Sequence, residues 1–179
     1  MKITAVDHKL DLFLVENALP NFLVNRLSIS KIINYKFSEA TISGKYKRRT
    51  VDLPFFEDFL IDRYSRYFTR HFSKLLNQPL ICNSYNLWID EPNFIMTSHV
   101  DSDGDPKHVG LQIYLHDSNF DIGTCFYNHD KIRYEFPFKK NTGYLMVNGS
   151  DQIHSTKSAV PPDYYRVSLY FWFAKVDLS

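Results

Sequence analysis

Two histidines and an aspartate have the residue types and the spacing of a metal site. His99 and Asp101 are two positions apart, and because side chains alternate along an extended chain, both point to one side of a strand and can reach one ion. His154 is the best candidate for a third ligand, since it lies in the short strand-like segment 152–156 and can return beside the first pair in a closed sheet. Two imidazoles and one carboxylate on one face of a metal leave three positions open, which suits ferrous iron working with oxygen and a chelating co-substrate.

One other histidine competes for the third ligand position. His108 follows His99 on the next predicted strand and is the closest rival to His154. The remaining histidines show no comparable spacing, and we expect them to be surface or core residues: His8, His71, His116 and His129.

Other metals fit this pattern less well. A structural zinc site would close all four coordination positions with protein ligands. A calcium loop that began at Asp101 would have Pro106 and Gln112 at the positions that need Gly and Glu. We therefore expect residues 103–106 to form a turn after the metal strand.

Arg166 supplies a second piece of chemistry. It begins the segment Arg-Val-Ser-Leu-Tyr-Phe-Trp-Phe, 12 residues beyond His154. Alternation along this strand puts Arg166, Ser168, Tyr170 and Trp172 on one face. An Arg at the mouth of a pocket can hold the far end of a dicarboxylate through two parallel hydrogen bonds, a geometry that Lys cannot reproduce.

The order and spacing of these pieces resemble the 2-oxoglutarate and iron(II)-dependent oxygenase superfamily, and within it the prolyl 4-hydroxylase-like group. The resemblance covers roughly residues 80–175. The matching segments are His99-x-Asp101, Gln-Ile-Tyr114-Leu115, Ile-Gly123-Thr-Cys-Phe, Gly143-Tyr-Leu-Met-Val, His154 and Arg166-Val-Ser-Leu-Tyr-Phe-Trp172.

This resemblance implies a double-stranded β-helix with a specific set of roles. It implies that His99, Asp101 and His154 bind Fe(II), and that 2-oxoglutarate chelates the iron and pairs with Arg166 through its distal carboxylate. Tyr114 occupies the position from which group members often donate a second hydrogen bond to that carboxylate. The implied reaction consumes O2, converts 2-oxoglutarate to succinate and carbon dioxide, and hydroxylates a C–H bond, with ascorbate as a supporting reductant.

The same resemblance suggests a substrate. It implies hydroxylation of a prolyl residue in a peptide or protein, with a free amino acid or another small molecule as the alternative. The segments 38–50 and 85–93 are the expected entrance walls, since they depart most from the common pattern and lie in expected loops. Arg48, Arg49 and Trp88 are therefore the expected substrate contacts.

A different class stays open beside the enzyme. A cupin-like binding module could retain the ligand geometry without turnover. Arg166 argues against it, because a module that binds no 2-oxoglutarate has no need of that arginine.

Two helices and a run of strands are predicted to position these residues. A strand near 10–15 precedes a helix over about 20–34, and Asp52 is expected to cap a longer helix that ends near residue 77. The segment 38–50 has no clear periodicity and is predicted to be a loop or an irregular hairpin. Short apolar segments then predict strands near 80–88, 94–99, 108–115, 124–128, 132–136, 143–148, 152–156 and 166–174.

These elements predict one domain over residues 1–179. Periodicity favours an antiparallel barrel or sandwich with helices on one outer face, and the resemblance makes this a jelly-roll or cupin-like double-stranded β-helix. The predicted class is thus mainly β with α, with helical support over about 1–79 and a β-barrel core over about 80–175. Internal repeats and low-complexity tracts that would suggest a second domain are missing from the sequence.

Composition limits the classes of partner. The formal net charge is +1, so the broad basic surface of a dedicated nucleic-acid binder is missing. The basic run 45–49 is more often a solvated loop than a binding patch. Nucleic-acid demethylases of the superfamily usually carry a second Arg six residues after the first, where this chain has Trp172.

Composition also bears on the compartment. Cys82 and Cys125 form neither a disulfide framework nor a thiolate metal motif, so a reducing cytoplasm is expected. The apolar run 12–15 is too short for a signal sequence or a membrane span. We therefore expect a soluble, intracellular protein that does not contact a membrane.

Overall fold

A computed structural model describes residues 1–7, 11–43, 46–101, 105, 107–128, 131–147 and 152–176, with backbone alone described at 39–43, 46 and 47. Over these ranges the chain is mainly β, with three helices. The helices are α1 (Asn21–Arg26), α2 (Ile29–Ile32) and α3 (Phe55–Leu75). The strands are β1 (Lys2–Asp7), β2 (Leu12–Glu16), β3 (Lys36–Ser43), β4 (Tyr46–Asp52), β5 (Leu80–Asp90), β6 (His108–Tyr114), β7 (Thr124–Asn128), β8 (Lys131–Phe136), β9 (Thr142–Val147), β10 (His154–Thr156) and β11 (Arg166–Lys175).

The strands form a large and a small antiparallel sheet. The large sheet has eight strands in the order β1-β2-β9-β6-β11-β5-β4-β3, and the small sheet has the order β10-β7-β8. Sequence neighbours such as β5 and β6 are separated by β11, which pairs with both. This architecture confirms the predicted mainly β, double-stranded β-helix class.

The two faces of the large sheet bury different kinds of side chain. On β11, Val167, Leu169 and Phe171 join the main hydrophobic core, whereas Arg166 and Ser168 point to the opposite face and are also buried. Both faces of this central strand are therefore covered, and the second face carries the polar residues of the cavity described below.

Helix α3 covers the apolar face. Phe68 and Phe72 are fully buried, and their rings lie 5.2 Å from Phe171 and 5.7 Å from Phe173. Removing such a buried ring typically costs about 3–5 kcal/mol. This packing fixes β11, and with it the register of the polar face.

The segment 38–50 is a hairpin rather than a loop. β3 and β4 pair with an irregularity between Thr41 and Ser43, and β4 joins the large sheet by pairing with β5. Of the two alternatives predicted, the irregular hairpin is confirmed. The loop was wrong because one face of β4 carries the buried Arg48, a charged residue that hides the strand pattern.

The structure differs from the predictions in three other places. The helix over 20–34 is two short helices, since Ser28 has an extended backbone between them. Asp52 does not cap α3, because it belongs to β4 and the N-cap residue is Pro54. The edge strand β1 was not predicted, although Ile3 and Ala5 pack on the core.

The expected strand over 94–99 is not a strand. This segment makes an isolated bridge, between His99 and His154. The turn expected at 103–106 lies outside the described residues, apart from Asp105, and so do His8 and His129. In the described part of the chain, no helix has the length and apolar character needed to cross a membrane.

Candidate metal and co-substrate site

His99, Asp101 and His154 come together as the sequence predicts. Each residue offers one potential ligand atom, and these three atoms lie within 4.8 Å of one another. Asp101 Oδ1 is 3.2 Å from His99 Nε2 and 3.7 Å from His154 Nε2. Metal–ligand bonds of about 2.1 Å at right angles put neighbouring ligand atoms about 3 Å apart, so small adjustments suffice to hold one ion.

Both imidazole rings are oriented in the same way. His99 Nδ1 donates to the Thr97 carbonyl oxygen at 2.8 Å, and His154 Nδ1 donates to the Gln152 carbonyl oxygen at 2.9 Å. A carbonyl oxygen can only accept, so Nδ1 carries a proton in each ring, and Nε2 is directed at Asp101. Such outer hydrogen bonds fix the tautomer that a metal ligand needs.

The backbone also ties the two histidines together. His99 N donates to His154 O at 3.0 Å, and His154 N donates to His99 O at 2.9 Å. Farther along, Thr156 N donates to Met96 O and Val160 N donates to Phe94 O. The segment that precedes Asp101 therefore runs along β10 and beyond it, although its pairing is too sparse to form a strand.

The electrostatics of the group favour a cation. Burial opposes ionisation of Asp101, but the hydrogen bond with His99, the imidazole charges and the Tyr170 hydroxyl outweigh it and hold the Asp101 pKa well below its usual value. Burial lowers the pKa of His154, which keeps that ring neutral at neutral pH. Burial also acts to lower the pKa of His99, but its hydrogen bond with Asp101 prevails and raises it. A divalent ion would displace the proton shared by these two residues.

His108, the rival ligand, lies outside this group. Its Nε2 is 2.9 Å from the Tyr170 hydroxyl. The histidine whose Nε2 faces Asp101 together with that of His99 is His154.

The three residues border a small cavity of about 40 Å³ between the two sheets. Its polar lining includes two arginines, an amide and several hydroxyl groups. The other lining residues are Arg48, Trp88, Met96, Gln112, Thr124, Tyr144, Ser155, Thr156, Arg166 and Tyr170.

Arg166 lies in the same cavity as the metal-type residues. It is 2% exposed, and its Nη1 has no hydrogen-bond partner among the described residues. Its Nε is 3.5 Å from Asp90 Oδ2 but makes no hydrogen bond there. A buried guanidinium with unpaired N–H groups is costly, so an acidic ligand in the cavity would relieve a real deficit.

A second buried arginine is already satisfied. Arg48 donates to both oxygens of Asp90, at 2.5 Å from Nε and 3.1 Å from Nη2. Its guanidinium also lies 4.2 Å from the Trp88 ring and 4.8 Å from the Phe94 ring. Asp90 is thus used mainly by Arg48, which leaves Arg166 as the arginine open to an anion.

The other predicted site residues have different positions. Trp88 lines the cavity and stacks on Tyr170 at 4.9 Å. Arg49 is not brought to the cavity, because it pairs with Glu91 and lies over Phe37. Its role in substrate contact remains a prediction without a supporting position.

Tyr114 lies behind the cavity wall. It is fully buried, and its hydroxyl is 2.6 Å from Thr124 Oγ1. Thr124, and not Tyr114, lines the cavity. The Arg166 guanidinium lies 5.7 Å from the Tyr114 ring. The expected hydrogen bond from Tyr114 to a co-substrate remains a prediction.

Sequence analysis assigned no role to several residues that the structure brings to this site. The Tyr144 hydroxyl donates to Gln112 Oε1 at 2.5 Å, and Gln112 Nε2 donates to Ser168 Oγ at 3.0 Å, which links β9, β6 and β11 across the cavity floor. Gln112 was detectable in principle, because it is a polar residue inside an apolar strand. Asp90, which ends the apolar part of β5, gave the same signal.

The structure is similar to solved structures, although no protein-family model and no curated protein sequence matches the chain. A prolyl 4-hydroxylase from Pseudomonas putida has a TM-score of 0.69 and 16% identity, over 92% of this chain and 92% of that one. A prolyl hydroxylase from Trichoplax adhaerens, solved with a hypoxia-inducible-factor peptide, has a TM-score of 0.70 and 13% identity over 91% and 83%. HygX from Streptomyces hygroscopicus, solved with nickel and 2-oxoglutarate, has a TM-score of 0.66 and 12% identity over 95% and 87%.

At these identities the similarity concerns architecture, and it extends over nearly the whole described chain. The donor group, the cavity and Arg166 lie on elements of that architecture. The chain therefore has the fold of the 2-oxoglutarate and iron(II)-dependent oxygenases, a fold that prolyl hydroxylases share.

Proposed function

We propose that the protein is an iron(II)- and 2-oxoglutarate-dependent dioxygenase that hydroxylates a substrate C–H bond. One observation carries the proposal: the buried Arg166, with an N–H group that lacks a partner, borders the same cavity as His99, Asp101 and His154. A metal site alone would not need this arginine, and an anion site alone would not need the three ligands.

The residues of the site fit both Fe(II) and 2-oxoglutarate. Two Nε2 atoms and Asp101 Oδ1 form a facial set of the kind that ferrous iron uses with open positions. Arg166 offers the geometry that holds a carboxylate through two bonds. Bound together, Fe(II) and 2-oxoglutarate supply the activation of O2, with succinate and carbon dioxide as co-products, and ascorbate would keep the metal reduced.

The charges of the site support this pair of ligands. Arg48 and Arg166 contribute two positive charges, and Asp90 and Asp101 contribute two negative charges. An Fe(II) ion and a 2-oxoglutarate dianion also sum to zero. The loaded site is therefore neutral, so burying both groups together avoids the cost of an unpaired charge.

The chain's own contribution is to hold and orient. The Nδ1 hydrogen bonds of His99 and His154 keep both Nε2 atoms toward the ion. Arg166 fixes the far end of the co-substrate, and Trp88, stacked on Tyr170, walls one side of the cavity. Placing the reactants in a shielded pocket is the main work that such an enzyme does.

For the substrate, we propose a prolyl residue in a peptide or protein. The prolyl hydroxylases that share the fold support this class. The charge count also favours it over a free amino acid, because the charged lining residues that the structure describes are already matched by Asp90, the metal and the co-substrate. An amino acid would bring an ammonium and a carboxylate with no such partner there.

Two alternatives remain under test. One is a hydroxylase of a free amino acid or another small molecule, which the fold also accommodates. The other is a cupin-like module that binds without turnover.

We further propose a single domain over residues 1–179 that acts in the cytoplasm.

The test is substrate-stimulated release of succinate from 2-oxoglutarate, with Fe(II) and ascorbate present. The comparison includes proline-containing peptides, free proline and other amino acids. Mass spectrometry then detects whether a product has gained one oxygen atom. His154→Ala should abolish release, whereas His71→Ala, on the exposed surface of α3, should not. Release with free amino acids alone would reject the peptide substrate, and no metal-dependent release under any condition would reject the enzyme.

A further inference from the structure

Tyr170 contacts the metal-type group from behind. Its hydroxyl is 2.9 Å from Asp101 Oδ2 and 2.9 Å from His108 Nε2. An ionised carboxylate can only accept, so the Tyr170 O–H donates to Asp101. The hydroxyl oxygen is then left to accept from His108 Nε2–H, which orders the three groups as a relay.

This contact divides the work of the two carboxylate oxygens. Oδ1 faces both His99 Nε2 and His154 Nε2, and it is the oxygen placed to bind an ion. Oδ2 is held by Tyr170 on the other side. A carboxylate with one oxygen occupied in this way presents a single oxygen to a metal.

The position of the Tyr170 hydroxyl is itself tightly determined. The ring stacks on Trp88 with 16° between the planes. Beneath it, a Cβ built on Gly110 would lie 2.5 Å from the Tyr170 hydroxyl oxygen. The glycine therefore leaves the space that this hydroxyl fills, and the stack prevents the ring from turning away.

We propose that Tyr170 is a positioning residue that holds Asp101 as a one-oxygen metal ligand and so keeps the remaining coordination positions open. The inference rests on the proposed function, since it assigns a role within the same site. If Oδ2 were released, the carboxylate could rotate and bind through both oxygens. It would then occupy a position that the co-substrate or O2 requires.

The experiment compares Tyr170→Phe with a matched variant, Tyr85→Phe. Tyr85 lies on β5, packs against Phe171 on the opposite face of the sheet, and donates to Asp58 Oδ1 at 2.9 Å. Both variants thus remove one tyrosine–carboxylate hydrogen bond of equal length. Mn(II) affinity is measured by calorimetry without co-substrate, and the visible absorption of the Co(II)-loaded protein reports the coordination number.

Tyr170→Phe should weaken Mn(II) binding about 10–100-fold, the usual effect of losing an outer-sphere partner, and should change the Co(II) spectrum. Tyr85→Phe should change neither. Gly110→Ala, which displaces the hydroxyl while keeping the tyrosine, should reproduce the Tyr170→Phe spectrum.

Two results would overturn the inference in distinguishable ways. If Tyr170→Phe and Gly110→Ala bind Mn(II) with the wild-type affinity and spectrum, Tyr170 does not position the ligand, and the proposed function stands. If the wild-type protein binds no Mn(II), Co(II) or Fe(II), both the inference and the proposed function fail.

Discussion

The cavity has two charged ends that are built by different means. At one end, Arg48, Asp90 and Arg166 lie side by side on β4, β5 and β11, where the ladder pairs Asp90 with both arginines. At the other end, His99 and Asp101 lie outside regular strands, and His154 begins the short strand β10. The arginine end is at most 3% exposed, whereas the side chains of His99 and Asp101 are 30% and 22% exposed.

The difference indicates which end the fold can complete alone. At the arginine end, internal hydrogen bonds offset the cost of desolvating the buried charges, except at Arg166, which has N–H groups without a partner. The metal end gathers groups that attract a cation and leaves them partly open. We therefore expect substitutions at the arginine end to affect folding and co-substrate binding, and substitutions at the metal end to affect metal binding.

The largest expected effect is at the metal end. His99→Ala, Asp101→Ala and His154→Ala should each abolish tight Fe(II) binding and turnover. Loss of an outer hydrogen-bond partner lowers metal affinity by about 10–100-fold, and loss of a ligand itself should lower it further. Metal titration and succinate release measure both losses. Urea unfolding should show that the barrel still folds. Asp101→Gly should likewise leave a coordination position empty.

His108→Ala is the matched control for these variants. It should keep metal-dependent activity, with at most a smaller loss through Tyr170. If His154→Ala instead kept full activity and His108→Ala lost it, the assignment of the third ligand would be incorrect.

The second effect tests the arginine end as a structural unit. Asp90→Asn should lower the free energy of unfolding by about 3–5 kcal/mol, because it leaves Arg48 without its buried counter-charge. Denaturant unfolding measures the change. Glu91→Gln, which removes the partly exposed partner of Arg49, should cost no more than about 1 kcal/mol. Equal losses in the two variants would contradict the distinction between the two ends.

The third effect is on the co-substrate. Arg166→Lys should weaken 2-oxoglutarate binding by about 1.5–3 kcal/mol, or roughly 10–150-fold, because the paired charge-assisted bonds are lost. Metal affinity should stay near the wild-type value. Calorimetry with Mn(II) present measures both, and Arg49→Lys is the control outside the cavity. Unchanged 2-oxoglutarate affinity would remove Arg166 from the site.

The smallest effect concerns Tyr114. Tyr114→Phe should weaken 2-oxoglutarate binding in the same direction by about 1 kcal/mol, roughly 5-fold, as expected for one neutral hydrogen bond. The effect is small because the Tyr114 hydroxyl pairs with Thr124, and Thr124 is the residue that lines the cavity. Tyr164→Phe is the comparison, because the Tyr164 hydroxyl donates to the Asp117 carbonyl oxygen and Tyr164 does not line the cavity. A loss larger than that of Arg166→Lys would reverse the ranking of the two residues.

Residues with a strong local pattern could be predicted from the sequence. Alternation along β11 correctly put Arg166, Ser168 and Tyr170 on one face, and the two-residue spacing correctly put His99 and Asp101 together. Seven of the eight strands predicted beyond residue 79 match observed strands, with every end within about two residues, and only the one over 94–99 does not. In these regions side-chain periodicity and burial agree, so local sequence is enough.

What the sequence did not show depends on pairing over long distances. Nothing local to Arg48 indicates that it will be buried against Asp90 from another strand, so its hairpin resembled a solvated loop. The contact between Tyr170 and Asp101 likewise depends on how a β11 side chain meets the segment that follows residue 99. Buried polar pairs of this kind follow from register, which one strand alone does not specify.

The backbone pair between His99 and His154 has a consequence for the choice of metal. Both of its hydrogen bonds join main-chain atoms, so a change of side chain at either position leaves the two attachment points where they are. The pair acts as a frame that accepts different ligand chemistries. Exchanging either imidazole for a thiolate or a carboxylate would then alter the preference among iron, zinc and manganese through ligand softness, while the backbone pair stays in place.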